Sequence, residues 1–178
     1  PITKFNALLK LLRKAINSYR RSNKVKAQEF YERLKKVVDT YNNRDKLIFT
    51  NKVVEDFVND LSEQLLQIIR DLEDDKNSFE KIGITFEEKA FFDILVKVRN
   101  EHGFTYDDGK CIDLAKKIKE LVDKKSKFAD WSTRNDIKSQ LEMDLTVLLY
   151  NNGYPPTWNG EVFKKVMEQA ENFKKYND

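Results

Sequence analysis

Apolar residues recur at intervals of three and four along almost the whole chain, the spacing that lines up side chains on one face of an α-helix. Phe5, Leu8, Leu9, Leu12, Ile16 and Tyr19 predict a first helix over residues 3–21. Ser22-Asn23 interrupts it, and Val25, Ala27, Phe30, Leu34, Val37, Val38 and Tyr41 mark a second helix, so the two form a helical hairpin. Tyr41-Asn42-Asn43-Arg44-Asp45 has turn chemistry, because Asn tolerates left-handed backbone and bonds locally. From Asn51, the set Val54, Phe57, Val58, Leu61, Leu65, Ile68, Ile69 and Leu72 predicts a long third helix that ends near Asp74-Asp75-Lys76-Asn77.

A link from Phe79 to Ile84 leads to Thr85-Phe86-Glu87-Glu88, a capping box in which Thr85 and Glu88 each satisfy a free N–H at a helix start. Ala90, Phe91, Ile94, Leu95 and Val98 continue that fourth helix to His102-Gly103, and the aspartates of the loop Phe104–Gly109 can cap the next one. Ile112, Leu114, Ala115, Ile118, Leu121 and Val122 give the fifth, fading into Asp123–Lys127. The sixth carries the most ordered punctuation. Ser132 or Thr133 can cap its start and Asp136 favours its first turn, Ile137, Leu141, Leu145, Leu148 and Leu149 face inward, and Gly153 with Pro155-Pro156 closes it. Val162, Phe163, Val166, Met167, Ala170 and Phe173 make the last helix, with Lys164, Lys165, Glu168, Glu171, Lys174 and Lys175 outward. The prediction is all-α: a bundle of about seven helices with short connections and antiparallel neighbours. Charge and spacing also allow two helical lobes, 1–77 with the basic hairpin and long helix, and 78–178.

Composition supports order. The 178 residues are 40% hydrophobic and 35% charged, with five Gly and three Pro, the balance of a helix-rich chain rather than a disordered one. Cys111 is the single cysteine and can form no internal disulfide, and no apolar run approaches the roughly 20 residues that span a bilayer. A soluble, cytoplasmic protein of a reducing compartment is the expectation. The chain begins at Pro1 without a methionine, which is consistent with an excised fragment.

The net charge of +3 hides an asymmetry. Residues 1–36 hold 11 Lys and Arg against Glu29 and Glu32, whereas residues 55–108 hold 15 acids against 6 Lys and Arg. A basic N-terminal face can meet phosphate, an acidic partner or the chain's own acidic middle. Lys10, Arg13, Lys14, Arg20, Arg21 and Lys24 are the candidate DNA contacts, each able to neutralise a phosphate.

Catalytic chemistry is not visible. The chain lacks a phosphate-cradling Gly-x-x-x-x-Gly-Lys-Ser/Thr loop, a Gly-x-Gly-x-x-Gly turn and a Gly-x-Ser-x-Gly elbow. His102 and Cys111 are too few for a zinc site and read as a polar helix end and a small buried residue. Asp71, Glu73, Asp74, Asp75 and Asp107-Asp108-Gly109 read as turns and caps. No catalytic, cofactor-binding or metal-ligating residue is therefore assigned.

Several stretches in order resemble a known family. Tyr41-Asn-Asn-Arg44, the long helix with Val54 and Leu61, Phe86–Leu95, Asp130-Trp131-Ser-Thr-Arg134, Asp136–Leu141, Gly153-Tyr154-Pro155-Pro156 and Val166–Glu171 resemble the C-terminal region of the R (restriction) subunit of type I restriction enzymes. The resemblance implies a parent that is an ATP-dependent DNA translocase and endonuclease, using ATP and Mg, whose nuclease and motor domains precede this region. For this chain it implies a non-catalytic helical portion that supports the motor and docks the subunit onto modification and specificity subunits, with DNA nearby and no membrane. Trp131, Arg134, Gly153, Tyr154, Pro155 and Pro156 carry the family pattern in structural roles: Trp131 packing on the following helix, Arg134 pairing with a carboxylate such as Asp130, and Tyr154 packing back on the final turn.

Overall fold

The computed structural model describes residues 2–44, 51–125 and 135–176. Among the described residues there are seven α-helices and no strand: α1 (Ile2–Arg20), α2 (Lys24–Asn42), α3 (Asn51–Lys76), α4 (Phe86–His102), α5 (Asp108–Lys125), α6 (Asn135–Asn151) and α7 (Gly160–Tyr176), with a short 3-10 turn at Ser78–Ile82. The all-α expectation holds because the periodic stripes are long and Gly and Pro fall between them, not inside. The proposed cap of α6 at Ser132 or Thr133 lies outside the described residues.

The chain divides into two compact units, one of residues 1–20 and 26–78, the other of 21–25 and 79–178. In the first, α1 and α3 run in the same direction, since Lys4 meets Glu63 and Tyr19 meets Asp75, and α2 runs against both. Phe5, Leu12, Ile16 and Tyr19 of α1, Ala27, Phe30, Leu34 and Val37 of α2, and Val58, Leu61, Leu65, Ile68 and Leu72 of α3 form its buried apolar layer. Each such leucine contributes about 1.5–3 kcal/mol by leaving water. Leu8 and Leu9 are only half-buried, so the inward stripe of α1 is narrower than its apolar content suggests. Basic α1 and α2 face acidic α3: Lys4 pairs with Glu63 at 3.5 Å, Arg33 with Asp71 at 2.8 Å and Lys26 with Asp75 at 3.8 Å. Much of the charge asymmetry is thus met inside this unit.

The second unit is a four-helix bundle closed in sequence order: α4 packs on α5, α5 on α6, α6 on α7, and α7 returns to α4. Its core joins Phe91, Leu95 and Val98 of α4, Leu114, Ile118 and Val122 of α5, Leu141, Leu145 and Leu149 of α6, and Val162, Val166, Ala170 and Phe173 of α7. The start of α4 is fixed by the capping box, in which Thr85 Oγ1 accepts from the Glu88 backbone at 3.1 Å while Glu88 Oε1 accepts from the Thr85 backbone at 2.8 Å. Such a cap is worth about 1 kcal/mol. The α6 end is equally defined. Gly153 takes the left-handed conformation at φ 67°, its N–H donating to the Tyr150 carbonyl at 3.0 Å and that of Tyr154 to the Leu149 carbonyl at 2.9 Å. These two bonds satisfy carbonyls that a helix end leaves free.

Candidate functional site

Three features of the surface and interior are candidates for function, and each sits within one unit. The first is the basic face of α1. Lys10, Arg13 and Lys14 are one turn apart and all exposed, so they share a face of the helix. Among the described residues none of the three makes an ion pair. Arg20 is half-buried instead, its guanidinium 5.5 Å from the centre of the Tyr31 ring. Arg21 and Lys24 are exposed but belong to residues 21–25, the turn after α1 together with the first two residues of α2, which are part of the other unit. The six basic candidates therefore do not form one described set.

The second feature is that turn itself, which is held by polar groups in the interior of the second unit. Lys89 and Asp93, one turn apart on α4, form a buried ion pair, and Asn23 Nδ2 donates to Asp93 Oδ2 at 2.7 Å. Gln169 of α7, 1% exposed, donates to the Ser22 carbonyl at 3.1 Å and accepts from the Lys24 backbone N–H at 3.3 Å. Gln169 of α7 thus bonds the backbone of this segment, while Asp93 of α4 accepts from the Asn23 side chain. Sequence reasoning singled out none of Lys89, Asp93 and Gln169, because a Lys and an Asp at i, i+4 are equally common on a solvated helix face and nothing local marks them as interior.

The third is the corner after α6. Tyr154 is fully buried, its hydroxyl donating to the Leu95 carbonyl of α4 at 2.7 Å. The rings of Phe104 and Tyr106 meet it edge-on, with centroids 5.3 and 5.1 Å away. Burial pushes the Tyr154 phenol far above its ordinary range, so it stays a hydrogen-bond donor. Pro155 is half-buried and Pro156 exposed after a cis Tyr154–Pro155 bond. Trp131 and Arg134 lie outside the described residues. Beside the corner, a cavity of about 220 Å³ is lined by His102, Phe104, Pro155, Thr157, Trp158 and Asn159, with Asn159 Nδ2 3.3 Å from His102 Nδ1.

None of this resembles a reaction centre. Among the described residues no group of three or more His, Cys, Asp or Glu could hold a metal ion. Cys111 is buried, and burial pushes its thiol up to about 11, leaving it protonated and unreactive at neutral pH. The Asp71–Asp75 run is engaged structurally: Arg33 and Gln67 bond Asp71 and hold its carboxyl below the ordinary value, and Tyr19 donates to Asp75 at 2.7 Å. On α7, Lys165 bonds Glu101 at 2.8 Å, which lowers the Glu101 carboxyl and raises the Lys165 ammonium, and Glu171 pairs with Lys138 at 3.5 Å. Part of the outward charge of α7 is therefore directed at α4 and α6.

Comparison with known proteins gives this helical chain its context. The family described as type I restriction enzyme HindI endonuclease subunit-like, C-terminal, matches residues 1–176. The chain belongs to this family. A protein of Methanocaldococcus jannaschii, named for the type I restriction enzyme MjaIXP endonuclease subunit, is 26% identical over 149 residues, 83% of this chain and 13% of that protein. The type I restriction enzyme HindI endonuclease subunit of Haemophilus influenzae is 24% identical over 144 residues, 81% of this chain and 12% of that protein. The chain thus spans about an eighth of the length of these curated relatives. No solved structure matches it significantly. Among the described residues no helix is long and apolar enough to cross a membrane.

Proposed function

We propose that this chain is the non-catalytic helical domain through which a type I restriction endonuclease subunit docks onto its modification complex and supports the motor. The observation that carries the reading is the family match over residues 1–176. His102 lies 3.3 Å from Asn159, Cys111 is buried, and Asp71 and Asp75 are bonded by Arg33 and Tyr19, which supports a structural role for these groups; the ATP and Mg chemistry of the parent enzyme is assigned in this reading to other parts of the polypeptide. The packed four-helix unit supports the reading, because such a bundle can present helix faces to a partner. Mixed with the purified modification–specificity complex, the chain is expected to co-elute in size exclusion. Separate elution at concentrations of tens of micromolar would end the docking reading.

A second reading is favoured by one observation, the exposed Lys10, Arg13 and Lys14 on a single face of α1. That face can follow a DNA backbone without reading bases. Duplex binding should then weaken steeply with salt, and replacing the three with Gln should reduce the slope of log K against log salt by about one unit for each phosphate no longer neutralised. Absence of binding at low salt would remove this role.

A further inference from the structure

α6 is apolar on two sides. Leu141, Leu145 and Leu149 face the bundle core, while Met143, Val147 and Tyr150, at i, i+4 and i+7, are 62%, 55% and 71% exposed. Residues at that spacing form a continuous strip on the side of the helix away from the core. Val147 also lines a groove of about 470 Å³ between α5 and α6, whose walls include Leu121, Leu148, Asp144, Lys117 and the Lys124–Glu120 pair, 3.0 Å apart. An exposed strip running into an apolar-floored groove is the form of a helix-docking surface.

The charge around the strip selects the occupant. On α6 the polar positions beside it carry Asp136, Glu142 and Asp144, and the one lysine of the helix, Lys138, pairs with Glu171. Two copies of the chain laid face to face through α6 would bring these acids against one another, and like charges in apposition oppose association. A foreign helix with an apolar stripe and basic flanks has no such conflict. We propose that the Met143–Val147–Tyr150 strip and the α5–α6 groove receive an amphipathic α-helix of a partner subunit, apolar at i, i+4 and i+7 and lined with Lys or Arg on the side facing α6. This inference rests on the docking reading above and gives it a surface.

The test uses the purified modification–specificity complex as the probe and the whole chain as bait, in wild-type form and as Val147→Asp/Tyr150→Asp and Asp136→Lys/Glu142→Lys variants. These positions are exposed, so unchanged circular dichroism is expected, with a small drop in melting temperature for the charge variant because Asp136 stands in the first turn of α6, and Lys164→Glu on the exposed side of α7 serves as a control. The apolar variant should bind at least about thirtyfold more weakly, the loss typical of an anchor pair. The charge variant should bind about tenfold more weakly at low salt and approach wild type at high salt. If wild type binds and both variants bind equally well, the surface is wrong while docking stands. If wild type fails to bind, docking fails and the inference with it. If wild type self-associates and Val147→Asp/Tyr150→Asp makes it monomeric, a second copy occupies the strip and the proposed partner is refuted.

Discussion

Replacing Lys89 with Met should lower the unfolding free energy by about 3–5 kcal/mol, the cost of removing one member of a buried ion pair. The expectation follows from the burial of both side chains, 3% and 8% exposed. Met fills the volume of the lysine stem but takes away the ammonium that bonds Asp93, leaving the carboxylate in the interior of the bundle with the Asn23 amide among its remaining contacts. Adding Asp93→Leu removes the carboxylate as well, and should return part of the loss, because an apolar pair of similar volume costs less than a buried charge without its counterion. Asn23 then forfeits its acceptor, so recovery stays incomplete. Urea unfolding followed at 222 nm gives both values. The same variants carry a local signature. The turn of residues 21–25 is held by Asp93 and by Gln169, so amide exchange at Lys24, whose N–H donates to Gln169, should accelerate in Lys89→Met more than exchange in the middle of α5. A Lys89→Met chain with wild-type stability and unchanged exchange at Lys24 would show that this cluster fastens nothing.

That cluster also marks where sequence reading stops. The helices were legible because their stripes are local and repeated over four or more turns, and the cap at Thr85 because Thr-x-x-Glu places both partners within one turn. Gly153 before Tyr154-Pro155-Pro156 announced a left-handed helix end for the same reason. Lys89 and Asp93 are different. Their i, i+4 spacing is the ordinary pattern of a solvated pair, and only the arrival of Asn23, 70 positions away in the chain, with Gln169 nearby, makes the site interior. The basic residues show the converse limit: Lys10, Arg13, Arg21 and Lys24 read as one charged stretch, yet the turn that carries the last two is folded into a different unit. On α6, leucines at the core positions are joined by Met143, Val147 and Tyr150 on the opposite side, so the helix is apolar in two directions and its periodicity is weak. The outer strip was hidden by the helix's own hydrophobicity.

Buried polar fasteners and an exposed apolar strip together fit a domain made to be held and to hold. The core residues Leu141, Leu145 and Leu149 hold the inner side of α6, and order already present behind the Met143–Val147–Tyr150 strip would lower the entropy lost if the strip docks as proposed. The corner after α6 is part of that order, because it ends the helix that carries the strip and ties it to α4.

Truncating that corner should have the second large effect. Tyr154→Ala is expected to destabilise the chain by about 4 kcal/mol, in the range found when a buried aromatic is cut to Ala. The substitution removes both the edge-on packing of Phe104 and Tyr106 against the ring and the bond from the hydroxyl to the Leu95 carbonyl. Tyr154→Phe separates them. It keeps the ring and removes only the hydroxyl, and since Leu95 lies within α4 its carbonyl retains the helical partner, so the loss should be about 1 kcal/mol. The two numbers, measured by urea unfolding, therefore say how the corner is held. A large loss in Ala with a small one in Phe places the stability in ring packing. Near-equal losses would mean that the bond between the α6 end and α4 dominates, and that the aromatic cluster merely surrounds it. The Ala variant also tests the proposed docking strip: with Tyr154 gone, the end of α6 should fray from its C-terminal side, where Tyr150 sits one turn away, and if the strip docks as proposed, capture of the modification–specificity complex should weaken in the variant that still folds.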